Sequence, residues 1–213
     1  MKKARYICLE GSEGMGKSTQ TEKLTNYLRE RGFSVLQTKE PGTPLSPLTM
    51  EMRKLMLDKQ FDEEMTMHAR EFISQAIRSV HINNIIKPAL PNYDYIIQDR
   101  GILSGYAYGV ACGNKLSFLE QLSHMHDEHA HDLYDDVLYL TGDTSKGLET
   151  ALNSKQEFAA GDAMEARGSA FMHQVRYNMD KQSSLFNTEE VNVDGKDIET
   201  VFHEILTILN LPQ

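Results

Sequence analysis

The sequence predicts an α/β fold in which helices cover both faces of a mainly parallel sheet. Two observations carry this prediction. Five short, largely apolar runs recur along the chain, and segments with the apolar spacing of helices separate them. Alternation of this kind is typical of a parallel sheet, whose crossover connections are usually helices. At 213 residues the chain suits one domain, residues 1–213.

The strands are predicted from apolar and β-branched runs bounded by turn residues. They are residues 5–9, 34–39, 95–98, 136–140 and 190–193. The helices are predicted from apolar spacing, with Gly32 as the C-terminal cap of the first and Pro88 closing the second. They are residues 17–31, 63–87, 145–154, 163–185 and 198–209.

Composition and charge argue against several classes of protein. The chain has 22 Lys and Arg against 31 Asp and Glu, a net charge of −9, which does not suit a protein that wraps nucleic acid or docks on an anionic membrane. No run of about 18 apolar residues could cross a membrane. The two cysteines, Cys8 and Cys112, cannot form a disulfide framework. We therefore expect a cytoplasmic protein, in the host cytoplasm if a virus encodes it.

A phosphate-binding loop is the strongest chemical signal. Residues 11–18 read Gly-Ser-Glu-Gly-Met-Gly-Lys-Ser and match G-x-x-x-x-G-K-[ST] without a gap. The match lies between a predicted strand and a predicted helix, where backbone N–H groups and the helix N-terminus can hold phosphate oxygens. A glycine-rich turn with a surface lysine is the alternative interpretation.

The nucleotide expected at this loop is a nucleoside triphosphate, taken as ATP with Mg²⁺. Lys17 would reach the β and γ phosphates, and Ser18 would hold the metal through its hydroxyl. The predicted ATP-binding residues are Gly11, Ser12, Glu13, Gly14, Met15, Gly16, Lys17, Ser18 and Thr19.

Two further motifs follow the second and third predicted strands. Residues 40–43 read Glu-Pro-Gly-Thr, and residues 99–108 read Asp-Arg-Gly-Ile-Leu-Ser-Gly-Tyr-Ala-Tyr. Together with the phosphate loop, and with Ile-Lys-Pro-Ala-Leu at residues 86–90, they make the sequence resemble the thymidylate kinases, which phosphorylate dTMP to dTDP. The resemblance implies a P-loop nucleoside-monophosphate-kinase fold, an α/β/α sandwich with a five-stranded parallel sheet and a short lid. It also implies a homodimer.

The resemblance assigns roles to acceptor-side residues. Arg100 would hold the acceptor phosphate, and Asp99 would order that arginine or a water on Mg²⁺. Glu13 would approach the acceptor's sugar hydroxyl or order the acceptor-side arginines. Arg78 matches the arginine that recognises the base edge, and a solvated helix face is the alternative for Arg78 and Arg53. The implied acceptor-binding residues are Glu40, Pro41, Arg53, Arg78, Arg100, Ser104, Gly105 and Tyr108.

This chain departs from the family pattern in several places. The second glycine expected after Glu-Pro-Gly is missing. Gly101 stands where an aromatic residue is usual, which we expect to leave a gap in the acceptor pocket. Ser74 occupies the position of the base-stacking aromatic, with Phe72 on a different helix face, and Gly109 replaces a glutamine. The base preference of the acceptor therefore stays open.

A catalytic cation is expected from the lid, because residues 12–15 of the phosphate loop contain none. The expected lid, residues 151–167, reads Asp162-Ala163 where the family has Asp-Arg. We predict that Lys155 or Arg167 takes this role, although lysine lacks the fork geometry of arginine.

These features predict transfer of the ATP γ-phosphoryl group to a deoxynucleoside monophosphate, dTMP being the first choice. A kinase with a broad or modified deoxynucleotide acceptor, or a DNA base, is the first alternative, and the loss of the stacking aromatic favours it. An ATP-binding module without transfer activity is the second, favoured by the missing lid arginine. The presence of both Lys17 and Arg100 argues against such a module.

Two weaker patterns remain. The histidines between His124 and His131 could hold Zn²⁺ or Ni²⁺, or they could form a polar surface segment. The methionines of residues 50–67 suit adaptable packing, or a subunit interface where they are exposed.

Overall fold

The computed structural model describes residues 4–125, 130–143 and 162–211. Within them lies a five-stranded parallel sheet with the strand order β2-β3-β1-β4-β5, which confirms the predicted fold class. Each strand lies within about two residues of its predicted bounds, as apolar runs allow. The strands are β1 (Arg5–Gly11), β2 (Val35–Lys39), β3 (Tyr95–Asp99), β4 (Asp136–Thr141) and β5 (Glu189–Asn192).

Helices connect the strands and cover both faces of the sheet. They are α1 (Lys17–Glu30), α2 (Pro47–Leu57), α3 (Met67–His81), α4 (Lys87–Ala89), α5 (Ile102–Ala111), α6 (Leu116–Ser123), α7 (Gly168–Gln182) and α8 (Ile198–Ile208). Successive residues of β1 point to opposite faces, so each face has its own apolar core. Ile7 packs with Leu24 of α1 on one face, and Tyr6 packs in the same core as Leu103 of α5 on the other.

The strand order creates a crevice between neighbouring strands. β1 and β3 pair directly, yet α1 follows β1 on one face of the sheet while α5 follows β3 on the other. The chain therefore leaves the carboxyl ends of these two strands in opposite directions. Parallel α/β folds bind ligands at such a point.

The second predicted helix, residues 63–87, is wrong at both ends. α3 starts later because Thr66 caps it, its hydroxyl oxygen accepting from the N–H of Ala69 at 3.2 Å. A π-helical turn, Ile82–Ile86, then leads directly into α4. Pro88 is the second residue of that short helix, so the proline does not close the helical segment as predicted.

Other helices differ from the prediction for local reasons. The segment 163–185 contains α7 between two 3₁₀ helices, Glu165–Arg167 and Ser183–Phe186. α5 is not among the predicted helices, because two glycines within it lower its helix propensity. The helix predicted over residues 145–154 lies outside the described residues.

Among the described helices, none is both long and apolar enough to cross a membrane. α3 and α7 have 15 residues each and carry charged side chains along their length.

Candidate active site

A cleft of about 580 Å³ opens at the carboxyl ends of β1, β2 and β3. The phosphate loop forms one side of it, and α3 and α5 form the other. Most of the residues that the sequence predicts for ATP and for the acceptor therefore line one cavity. Those residues are Glu13, Gly14, Gly16, Lys17, Ser18, Thr19, Glu40, Pro41, Arg53, Arg78, Asp99, Arg100, Ser104, Gly105 and Tyr108.

Glycines shape the phosphate loop. Gly16, with a φ of +79°, is the N-cap of α1, so the first N–H groups of that helix are available to the loop. Gly11 ends β1, and a Cβ there would lie 2.6 Å from the Leu140 carbonyl oxygen. Gly11, Ser12 and Met15 do not line this cleft, and the side chains of Ser12 and Met15 are buried.

Lys17 lies under the loop with its ammonium group buried. Its Nζ donates to the Ser12 carbonyl oxygen at 2.6 Å. Burial, helped by the Arg100 guanidinium, lowers the pKa of Lys17 to about 8, although the Glu13 carboxylate opposes the shift. Because a nearby anion favours the ammonium form, a triphosphate in the loop would raise this pKa again.

Ser18 and Asp99 form an oxygen-rich corner of the cleft. The Ser18 hydroxyl donates to Asp99 Oδ2 at 2.5 Å. The other carboxylate oxygen, Asp99 Oδ1, is buried and has no hydrogen-bond partner among the described residues. Mg²⁺ prefers a carboxylate and a hydroxyl as hard oxygen ligands, either directly or through water. These two side chains therefore fit a magnesium ion.

Arg100 follows β3 with a φ of +65°, a conformation that is uncommon outside glycine and concentrates at functional sites. Its Nη2 donates to Glu13 Oε1 at 2.6 Å. Its Nη1 donates to the Gly11 carbonyl oxygen at 2.9 Å and to Ser104 Oγ at 3.2 Å. The guanidinium carbon lies 5.6 Å from the ring centroid of Tyr108. These contacts fix the guanidinium group at the wall of the cleft.

Glu10 is a buried residue at this wall that the sequence analysis does not single out. Its carboxylate accepts from the Ser104 N–H at 3.2 Å and also from the Ser104 hydroxyl. It therefore satisfies an N–H group that the first turn of α5 leaves without an intrahelical partner. Burial raises the pKa of Glu10, although the bonds from Ser104 oppose the rise. Its sequence signal is an acidic residue within an otherwise apolar strand.

Arg78 and Glu40 form a buried ion pair. Arg78 Nε donates to Glu40 Oε2 at 3.0 Å, and the two side chains are 3% and 5% exposed. The other oxygen, Glu40 Oε1, lies 3.0 Å from His81 Nδ1, and His81 Nε2 lies 2.8 Å from the Thr38 hydroxyl. Burial would raise the pKa of Glu40, but the Arg78 charge and the His81 bond outweigh it and lower the pKa to about 2. A solvated helix face for Arg78 is therefore wrong.

His81 is a member of this network that the sequence analysis misses. It follows Arg78 by three residues, which places both side chains on one face of α3. That spacing is the signal that could have found it.

Arg53 of α2 lies against the turn that follows β2. Its Nη1 donates to the Pro41 carbonyl oxygen at 2.9 Å. Gly42 has a φ of +78°, and a Cβ there would lie 2.9 Å from Arg53 Cβ. The shortened Glu-Pro-Gly-Thr turn thus packs directly on α2, and Arg53 is half-buried at the edge of the cleft.

The family model for thymidylate kinase matches residues 9–205, a span that includes both the phosphate loop and the acceptor side of the cleft. The chain belongs to the thymidylate kinase family. It is accordingly an ATP-using nucleoside monophosphate kinase, as the sequence predicts.

Individual members of the family cover nearly the whole chain. The thymidylate kinase of Caldicellulosiruptor saccharolyticus is 30% identical over 211 residues, which are 98% of this chain and 97% of that protein. The thymidylate kinase of Teredinibacter turnerae is 35% identical over 173 residues, 81% of this chain and 80% of that protein. The crystal structure of the Ehrlichia chaffeensis thymidylate kinase covers 97% of this chain and 99% of its own, with 23% identity and a TM-score of 0.73. The predicted nucleoside-monophosphate-kinase sandwich is confirmed.

Two departures from the family pattern have different outcomes in the structure. The prediction of a gap at Gly101 is wrong. A Cβ there would lie 2.5 Å from the Tyr134 hydroxyl, which fills the space. Phe72 does lie away from the cleft, 55% exposed, with its ring centroid 6.0 Å from that of Phe118. Ser74 lines the cleft in the position of the expected aromatic.

Two glycines of α5 make room for charged side chains of α3. A Cβ on Gly105 would lie 2.7 Å from Arg78 Nη2, and a Cβ on Gly109 would lie 3.0 Å from Glu71 Oε2. Both charged residues line the cleft. Gly105 is predicted by resemblance to touch the acceptor, whereas Glu71 is missed by the sequence analysis.

The two predicted lid cations fare differently. Arg167 Nη2 donates to Asp62 Oδ1 at 3.2 Å, and Arg70 Nη2 donates to the same oxygen at 2.6 Å. Arg70 lines the cleft, but Arg167 does not. Lys155 and the rest of residues 151–161 lie outside the described residues.

The histidine segment is described only in part. His124 is exposed just after α6, whereas residues 126–129 lie outside the described residues. In the part that the structure describes, no group of three or more His, Cys, Asp or Glu side chains could hold a metal ion.

Met56 is buried and Met67 is 42% exposed, so the methionines of residues 50–67 do not share one environment.

A second depression, of about 520 Å³, lies beside the phosphate loop. Gly14 and Met15 of the loop and Gln20 of α1 line one side of it. The turn between β5 and α8, from Val193 to Asp197, lines the other. Only the phosphate-loop residues of this depression are predicted from the sequence, because the turn carries no motif of its own.

Proposed function

We propose that this kinase transfers the γ-phosphoryl group of ATP to dTMP, giving ADP and dTDP. The observation that carries the proposal is that Lys17 and Arg100 line one cleft. A phosphate-loop lysine serves a nucleoside triphosphate, and an arginine facing the same space suits the phosphate of a second substrate. The relatives that are thymidylate kinases support dTMP as that substrate.

The polar groups of the cleft divide between donor and acceptor. Lys17 and the first N–H groups of α1 bind the β and γ phosphates, while Arg100 binds the acceptor phosphate through its two-pronged head group. Mg²⁺, held by Ser18 and Asp99, would neutralise charge on the β and γ oxygens. An acceptor phosphate oxygen forms a bond to the γ-phosphorus, and the bond from that phosphorus to the β–γ bridging oxygen breaks.

Glu13 and Tyr108 serve the sugar side of the acceptor. The Tyr108 hydroxyl donates to Glu13 Oε1 at 3.3 Å, the same oxygen that Arg100 contacts. Glu13 therefore orients both groups toward the acceptor. A ribose 2′-hydroxyl at this place would meet the tyrosine ring, so we expect deoxynucleotides to be preferred.

Arg78 is assigned to the edge of the acceptor base. Its Nη1 is buried and has no hydrogen-bond partner among the described residues. A buried donor without a partner is costly, and a carbonyl oxygen of the base would satisfy it. Glu40 keeps the guanidinium in place, and Pro41 lines the cleft beside it.

The second depression suits the nucleoside half of ATP. It shares Gly14 and Gly16 with the main cleft, Arg100 does not line it, and Gly195 of the turn before α8 does. The triphosphate would then run from this depression through the loop into the main cleft.

A homodimer, as the resemblance implies, is also part of the proposal. Leu48 and Leu55 lie on one face of α2 and are 55% and 46% exposed, and Phe72 of α3 is 55% exposed. Large apolar side chains gathered on neighbouring helices are typical of a subunit interface. Phe72→Glu should yield a monomer in sedimentation analysis, whereas Phe33→Glu, at an exposed aromatic outside these helices, should not.

A cytoplasmic location is proposed on the free thiols of Cys8 and Cys112.

The lid cation remains a proposal with two candidates, Lys155 and Arg167. Replacing each with alanine should lower kcat for the residue that serves the reaction, by about 10³-fold if it clamps transition-state charge. Unchanged turnover in both variants would refute the assignment.

ADP release tests the proposed function directly. Purified protein with Mg·ATP is assayed with dTMP, dUMP, dCMP, dAMP and a blank without acceptor. We expect dTMP to give the strongest stimulation over the blank among these four. A series no faster than the blank, with ATP still bound, would overturn the proposal in favour of an ATP-binding module.

A further inference from the structure

One face of α3 presents three side chains to the acceptor end of the cleft. Glu71, Ser74 and Arg78 all line it, and their spacing of three and four residues puts them in one row. The backbones of Glu71 and Arg78 are seven residues apart, a rise of about 10 Å, but their charged groups lie closer together. Glu71 Oε2 lies beside Gly109 and Arg78 Nη2 beside Gly105, which are one turn apart on α5, a rise of about 6 Å. The side chain of Ser74, which lies between them, is small and therefore leaves space in the cleft between the two charged groups.

Glu71 is not accounted for by the roles assigned so far. It is 6% exposed, and its Oε1 accepts from Gln75 Nε2 at 2.7 Å. Its Oε2 lies 3.0 Å from the position that a Cβ on Gly109 would take, and Leu119 Cδ1 lies 2.9 Å from the same position, so a larger residue at 109 would crowd both side chains. Burial raises the pKa of Glu71, although the Gln75 bond opposes the rise. A carboxyl group taken out of water in this way needs N–H or O–H donors to satisfy it.

The row therefore matches a base with a particular order of polar groups. Arg78 suits a carbonyl oxygen, and Glu71 suits N–H donors that follow that oxygen along the edge of the ring. Guanine has this order, with the 6-oxygen followed by N1–H and by the 2-amino group. Thymine offers a carbonyl oxygen and one N–H, but its third group is a second carbonyl oxygen. The second carbonyl oxygen of thymine would face the Glu71 carboxylate. Both groups are hydrogen-bond acceptors, so no hydrogen bond could form between them.

We propose that the acceptor pocket also takes dGMP, with Glu71 as the residue that recognises the guanine edge. Glu71 accepts from N1–H and from the 2-amino group, while Arg78 donates to the 6-oxygen. The room for a two-ring base comes from Ser74, which lines the cleft where the family has an aromatic side chain. The transfer is the same as for dTMP, giving ADP and dGDP. This inference rests on the proposed phosphoryl transfer and extends its range of acceptors.

The test compares dGMP with dIMP, which differs from it only in lacking the 2-amino group. For the unaltered protein we expect kcat/KM for dGMP to exceed that for dIMP by about tenfold or more, as one hydrogen bond to a charged group allows. In Glu71→Leu that ratio should fall to about one. Glu30→Leu, at an exposed glutamate at the end of α1 away from the cleft, should keep the ratio of the unaltered protein.

Glu71→Gln keeps one acceptor oxygen in nearly the same shape and should give an intermediate ratio. It also guards against misfolding of the leucine variant, and thermal melting of each variant checks the fold. Phosphorylation of dTMP without any of dGMP would overturn this inference and leave the proposed function standing. An unchanged dGMP to dIMP ratio in both Glu71 variants would overturn the role of Glu71. Failure of every nucleoside monophosphate would instead count against the proposed function itself.

Discussion

Arg100 Nη2 donates to Glu13 Oε1 at 2.6 Å, and this bond joins the two halves of the cleft. Glu13 belongs to the phosphate loop, whereas Arg100 follows β3 and faces the acceptor side. The side chains are only 17% and 13% exposed, so solvent screens the pair less than it would at the surface. The guanidinium group is therefore oriented by the protein itself, and an acceptor phosphate meets a preorganised donor.

Arg100→Lys is expected to lower kcat/KM for dTMP by about 10²-fold, because a single ammonium group cannot contact Glu13, Ser104 and a phosphate in the geometry of a fork. Steady-state kinetics with dTMP varied will measure the loss. Affinity for ATP, followed by calorimetry, should change far less, since Lys17 binds the donor. Arg31→Lys, at an exposed arginine, is the matched control. Equal losses of ATP affinity and of dTMP turnover would contradict the assignment of Arg100 to the acceptor.

The strands and the phosphate loop could be predicted because their signals are local. β1 is an apolar run that ends in glycine, and Lys17 and Ser18 follow within a fixed spacing. Each such signal lies within about ten residues, which is the range over which periodicity and motifs report structure.

The walls of the acceptor pocket could not be predicted in the same way. Tyr134 fills the space beside Gly101 although more than thirty residues separate them in the sequence. Likewise, Glu71 of α3 and Leu119 of α6 fill the space at Gly109, because both helices pack against α5. These contacts depend on how two elements pack against each other, and the sequence of one segment does not predict which residue of the other will contact it.

Glu40→Gln is expected to destabilise the fold by about 3 kcal/mol, because it leaves the buried Arg78 guanidinium without its counter-charge. Urea unfolding at neutral pH will measure the change in the free energy of unfolding. Glu204→Gln removes the carboxylate of an ion pair with Lys196 in which the glutamate is 39% exposed. That control should cost less than about 1 kcal/mol. Similar losses in both variants would contradict a special role for the buried pair.

The same carboxylate predicts a pH dependence. The pKa of Glu40 is about 2 in the folded protein against an ordinary value of 4.5, so the ionised group stabilises the fold fully above pH 4.5. This contribution is lost as the pH falls from 4.5 toward 2. The difference in unfolding free energy between the unaltered protein and Glu40→Gln should therefore shrink over that interval. A difference that stays constant in acid would show that the carboxylate is not held ionised by its partners.

The lowered pKa of Lys17 predicts a pH dependence of ATP binding at alkaline pH. Its pKa is about 8 instead of the ordinary 10.5, so the ammonium form that attracts phosphate is lost as the pH rises through 8. ATP affinity should be steady below pH 8 and should then fall by up to about tenfold per pH unit. Titration calorimetry over this range will measure it. Lys17→Arg stays protonated throughout and should bind ATP, however weakly, with a flatter profile. An equally steep fall in both proteins would assign the effect to another group.

Gly105→Ala is expected to weaken dTMP binding without unfolding the protein. The added Cβ would lie 2.7 Å from Arg78 Nη2 and must push the guanidinium away from the base edge, which we expect to raise KM for dTMP by about 10- to 100-fold. Alanine is favoured over glycine within a helix by about 0.5–1 kcal/mol, so an unfolding defect is not expected from the backbone of α5.

A double-mutant cycle with Arg78→Ala distinguishes displacement of Arg78 from direct contact between Gly105 and the acceptor. If displacement of Arg78 is the cause, Gly105→Ala should add almost nothing once Arg78 is absent, since the two residues act through one contact. Full additivity of the two losses would mean that Gly105 touches the acceptor independently of Arg78.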